Sequence, residues 1–108
     1  MEKKEQDRIV RRYYQYLKLE KGCSANTIDA YMRDLDKFLN FIKEEGKDFM
    51  TAQLEDMHNF SALMTDIGIN PVSLSRILSG IRSFYHFLVL GDIIDANPTE
   101  LLEFPKKP

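Results

Sequence analysis

Cysteine is nearly absent: Cys23 stands alone, so neither an internal disulfide framework nor a cysteine-rich zinc site can form. A lone thiol fits a reducing compartment. Tryptophan is missing, and five glycines with four prolines are too few for a collagen-like or low-complexity chain. No apolar run approaches the ~18 residues that suggest a bilayer-spanning helix. The opening MEKKEQDRIVRR is charged throughout and carries no apolar signal-peptide core. The two histidines, His58 and His86, have no carboxylate–cysteine set at ligand spacing, so no metal is expected. A Gly-rich phosphate loop, a Ser-His-Asp set and paired carboxylates in an apolar setting are also lacking. Neither a cofactor nor a catalytic residue is expected in this chain.

What remains is a globular composition. The 108 residues are 44% apolar and 30% charged, enough for one domain with one hydrophobic core and no staples. A soluble, cytoplasmic domain is the expectation. The net charge of −2 does not announce a polyanionic partner, but the charges are segregated. Residues 1–21 hold seven basic side chains against four acids, and from Ile67 to Gly91 there is no acid while Arg76 and Arg82 are present. The acids gather in 44–66 and 92–103. A field sorted in this way can steer a polyanion even when the total charge is small.

Every strong periodicity is helical. A first helix is expected from about Glu5 to Lys21, on the spacing of Ile9, Tyr13, Tyr16 and Leu17, with Gly22 past its end. Ser24 should cap a second helix bearing Ile28, Tyr31, Leu35, Phe38, Leu39 and Ile42, stopped at Gly46. Thr51 is expected to cap a third, with Leu54, Met57, Phe60, Leu63, Met64 and Ile67 on its apolar face and Gly68 as its breaker. Asn70-Pro71 opens a fourth as cap plus first-turn proline, carrying Leu74, Ile77, Leu78, Ile81, Phe84 and Leu88, with Gly91 at its end. Asn97-Pro98 repeats the signal for a short fifth segment, TELLE, before the tail Phe104–Pro108. No stretch alternates with period two, so the fold class is all-α, a compact four-helix bundle-like domain. The expected core includes Ile28, Leu35, Phe38, Leu39, Leu54, Leu63, Ile77, Leu78, Ile81, Phe84 and Leu88.

The exposed faces carry the functional signal. On a helical wheel, Ser75, Arg76, Ser79, Arg82, Ser83 and His86 share roughly a third of the fourth helix's circumference. That arc is small, hydroxyl-rich and basic. Short hydroxyls allow a backbone close, hydroxyls and arginine donate to phosphates, and arginine can fork onto a guanine edge. The second helix has a weaker counterpart in Asn26, Ala30, Arg33 and Lys37, with Ser24 and Thr27 at its N-terminus, where free backbone N–H groups favour anions. The competing reading is that small residues admit a partner helix, making the domain a protein–protein module that docks through the Ser/Arg face of its fourth helix. Tyr13, Tyr16, Tyr31 and Tyr85 lie on or beside apolar stripes and are expected to pack rather than react.

Three blocks together resemble the N-terminal domain of Xer-type tyrosine recombinases of the phage-integrase family. These are LKLEKGCSANTIDAYMRDLDKFL at 17–39, NPVSLSRILSGIRSFYHFL at 70–88, and DANPTELLE at 95–103 with Pro105-Lys106 behind it. They occur in the family's order and cover nearly the whole chain. The resemblance implies a SAM-like core-binding domain, residues 1–103, with 104–108 beginning a linker to a C-terminal catalytic domain. It implies half of a clamp on duplex DNA at a recombination site, with the second and fourth helices in the major groove. Carried over residue by residue, the contacts would be Ser24, Asn26, Thr27 and Arg33, then Ser73, Ser75, Arg76, Ser79, Arg82 and His86. Lys37 joins them from the wheel. The full-length protein would meet other protomers in a synaptic complex, and its catalytic residues would lie in the other domain. Val72, Ile77 and Asp36 stand where the family often has a base, which points to weak DNA binding by this domain alone. Arg76, nearer the helix N-terminus, is expected to read a base edge rather than a phosphate.

Overall fold

The computed structural model describes residues 1–105. Four helices run in order: α1 (Lys3–Leu19), α2 (Ala25–Glu44), α3 (Leu54–Asp66) and α4 (Pro71–Leu90). No strand occurs among the described residues. The expected all-α architecture is therefore present. Residues 106–108 of the expected linker lie outside the described part.

The local signals act largely as read. The Ser24 hydroxyl accepts the Thr27 N–H at 3.2 Å, and the Asn70 carboxamide accepts the Ser73 N–H at 2.9 Å with Pro71 in the first turn. Gly22 takes φ +62° and closes α1, a conformation that glycine reaches at no steric penalty. At the end of α4 the left-handed residue is Asp92 (φ +56°), one past the Gly91 cap.

Thr51 does not cap α3. Its N–H and that of Met50 donate to the Asp48 carboxylate at 3.1 and 2.8 Å, so Thr51 belongs to a turn that Asp48 organises. The cap position falls to Gln53, whose N–H donates to Asp56 Oδ2 at 2.8 Å. Lys47 Nζ donates to both Asp56 oxygens at 2.9 Å, so one buried carboxylate serves the helix start and the preceding loop. The short fifth segment is reduced to turns, with Glu100 N–H on the Asn97 carbonyl and Leu102 N–H on the Thr99 carbonyl.

The core lies between α2 and α4, which share the largest helix–helix interface, and α1 and α3 close its flanks. Tyr13 (α1) meets Phe84 (α4) edge-on at 5.2 Å, and Phe38 (α2) meets Phe60 (α3) edge-on at 5.4 Å. Each such buried side chain contributes roughly 1.5–3 kcal/mol through area removed from water. Of the expected core, Leu54 is half-buried and Leu63 is 40% exposed. Of the expected stripe the short α3 buries Met57, Phe60 and Met64, which turns Leu63 toward solvent, and Ile67, at the helix's C-cap rather than on its buried face, is exposed. Phe49, Ala52 and Leu102 complete the core from the connections.

Candidate nucleic-acid interface

α4 positions most of the candidate side chains because its opposite face is committed to the core. Ile77, Leu78, Ile81, Phe84, Tyr85 and Leu88 are buried, leaving Arg76, Arg82 and His86 exposed and Ser73, Ser75, Ser79 and Ser83 half-buried between them. Ser79, Arg82, Ser83 and His86 line one depression of about 390 Å³ with Lys21 from the end of α1 and Asn97, Thr99 and Glu100 from the C-terminal segment. Three side chains that can carry positive charge and three hydroxyls thus converge around it, with one acid in the lining. Arg82 also lays its guanidinium over the Phe104 ring, 4.3 Å from the centroid, a cation–π contact that limits where the arginine can swing. Phe104, read from sequence as the start of a linker, is half-buried against the domain.

Arg76 is placed differently. Its Nε donates to Asp34 Oδ2 at 3.1 Å and its Nη2 to Asp34 Oδ1 at 3.3 Å. The arginine side chain is 50% exposed, the aspartate only 2%. This pair bridges α2 and α4.

On α2 the candidates separate. Ser24, Asn26 and Thr27 stand exposed at the N-terminus, and the Ser24 hydroxyl donates to Thr27 Oγ1 at 2.9 Å. Arg33 opens onto a groove against α1, among Asp7, Asp29 and Asp36. Lys37 borders a more apolar groove against α3, with Phe41, Leu63 and Ile67. Val72 is exposed, whereas Ile77 is 1% exposed and faces the core. Two of the phenols that sequence set aside, Tyr13 and Tyr85, are held un-ionised: burial pushes both far above the usual value, the reverse of nucleophile activation.

Sequence reasoning missed Lys21 as part of the depression, although the basic cluster at 1–21 contained it. It also missed Asp34, whose signal was available: on the wheel it lies about 40° from buried Phe38, an odd place for an unpaired acid.

Comparison with known proteins decides the family. Residues 10–91 match the family described as phage integrase, N-terminal SAM-like domain. The chain belongs to this family. It is 34% identical over 101 residues to the tyrosine recombinase XerC of Pediococcus pentosaceus, covering 92% of this chain and 34% of that one. It is 38% identical over 97 residues to XerC of Leptospira interrogans, covering 89% and 31%. Against XerD of Staphylococcus aureus it is 36% identical over 101 residues, covering 91% and 34%. The chain thus spans about a third of the length of these relatives. No solved structure matches it. As a SAM-like domain of the phage-integrase type, the chain has no helix among its described residues long and apolar enough to cross a membrane.

Proposed function

We propose that this SAM-like domain is the DNA-binding half of a cytoplasmic site-specific tyrosine recombinase, clamping duplex DNA at a recombination site through α2 and α4. Residues 1–103 form the binding domain, and 104–108 lead toward a catalytic domain that supplies the chemistry and meets other protomers. The observation that carries this reading is the α4 face. Arg76, Arg82 and His86 stand exposed along one helix with half-buried serines between them, and Lys21 joins them at the depression. Such a face offers point charges and forked donors to phosphates and short hydroxyls to sugar oxygens. The names of the relatives, all tyrosine recombinases, support it.

The test is amide NMR of the 108-residue chain during addition of a duplex. Shift changes concentrated on 24–33 and 73–86 support the reading. Changes centred on the α2–α3 groove around Phe41 and Ile67, with α4 silent, contradict it. A folded protein ligand that displaces the duplex from the α4 face without salt sensitivity favours the docking-module reading instead.

A further inference from the structure

Asp34 is buried to 2%, deep enough that an unpaired carboxylate would be strongly unfavourable there. Its side-chain donors among the described residues are the Nε and Nη2 of Arg76, at 3.1 and 3.3 Å. Asp34 lies in the interior of α2, where backbone N–H groups are engaged within the helix, so nothing local can replace the arginine. An approaching phosphate cannot draw Arg76 away without leaving that carboxylate unpaired and buried.

The geometry of the pair leaves a specific surface. Asp34 occupies the side-on fork of the guanidinium, the Nε–Nη2 edge. The end-on edge, Nη1 with the second proton of Nη2, is not engaged by it, and the Arg76 side chain is half exposed. A free surface arginine must lose rotamer freedom on forming a bidentate contact, whereas this one is already fixed. The nearby carboxylate also cancels most of its charge at a distance, which weakens its pull on a phosphate but not its ability to fork onto two acceptors in one plane. The major-groove edge of guanine presents such a pair in O6 and N7.

Resting on the DNA-binding reading above, we propose that Asp34 is a positioning residue that fixes the end-on edge of Arg76 for a guanine edge. Arg76 then supplies discrimination and Arg82 supplies phosphate attraction.

The intact 108-residue chain is used to select duplexes from a randomised pool. The selected duplex and its single-base-pair variants are then titrated by fluorescence anisotropy at two salt concentrations. Asp34→Asn and Arg76→Lys should each lose about tenfold in discrimination at the same G·C pair, with the salt slope nearly unchanged. Asp34→Asn combined with Arg76→Ala should be no worse than Arg76→Ala alone. Arg82→Ala should reduce the salt slope by about 1 and leave discrimination intact. In 15N spectra the Arg76 Nε–H should give a slowly exchanging signal that Asp34→Asn abolishes while amide dispersion persists. Arg76→Lys keeps a charge on Asp34, so it reports even if Asp34→Asn fails to fold. Discrimination retained in Arg76→Lys, or in a folded Asp34→Asn while Arg76→Ala loses it, overturns the positioning role. If the wild-type chain enriches no duplex and its binding ignores salt, the DNA-binding reading itself fails.

Discussion

The hydroxyl of Tyr85, in the C-terminal half of α4, donates to the backbone carbonyl of Phe49 at 2.7 Å. This bond fastens the α2–α3 connection to the core and lets Phe49 fill it, with its ring edge-on to Phe84 at 5.4 Å. Both Tyr85 and Phe49 are almost fully buried. Tyr85→Phe keeps the ring but strands the carbonyl, so it should destabilise the domain by about 1–3 kcal/mol. In a urea melt the midpoint should fall with an unchanged slope. An unchanged midpoint would mean that the connection is held by the Phe49 ring alone.

Stability should fail at high pH through two phenols. Burial holds Tyr13 and Tyr85 protonated well beyond the ordinary phenol range, and Asp48 and Asp56 reinforce this at Tyr85. In the unfolded chain both ionise near pH ~10. The unfolded state therefore sheds protons that the native state keeps, so stability is intact below that pH and falls as pH rises through it. The tyrosinate absorbance of these two residues should appear only together with loss of helical circular dichroism. Their ionisation in a fully helical protein would contradict the burial.

Gly80 lies buried inside α4, against the ring of Tyr31 on α2. A Cβ built there would meet Tyr31 Cδ1 at 3.5 Å, an ordinary van der Waals distance. The glycine is therefore not required by space, and its helix penalty can be recovered. Gly80→Ala should raise stability by up to about 1 kcal/mol, measured as a higher thermal midpoint. A fall would show that the α2–α4 crossing tolerates no methyl group.

The readings that succeeded rest on short-range physics. Ser24 caps Thr27 three residues on, and Asn70-Pro71 opens α4 within its own turn. The helical stripes followed because burial repeats every turn. Phe49, Ala52 and Leu102 were not legible as core because they sit in connections with no period to betray them. Thr51 was misread because a hydroxyl before an apolar run can serve a turn as easily as a cap, and Asp48 captured it. On the candidate site, the wheel put the α4 candidates on one outward face, as their exposure shows, but could not show that Arg76 is engaged by a residue 42 positions away. Nor could it place Phe104 under Arg82. On α2 it grouped Arg33 with Lys37, which open onto different grooves once α1 and α3 are packed alongside.

The measurement that bears most directly on the proposed function is the salt dependence of duplex binding by the 108-residue chain. With few basic groups on the α4 face and Asp7, Asp29 and Asp36 gathered around Arg33 on α2, affinity should fall in the roughly 1–100 μM range of non-specific binding. It should drop steeply as salt rises, and Arg82→Ala should lower the log–log slope by about 1. Binding that stays level from low to physiological salt, with Arg82→Ala indistinguishable from the parent chain, would contradict a DNA-binding role for α4.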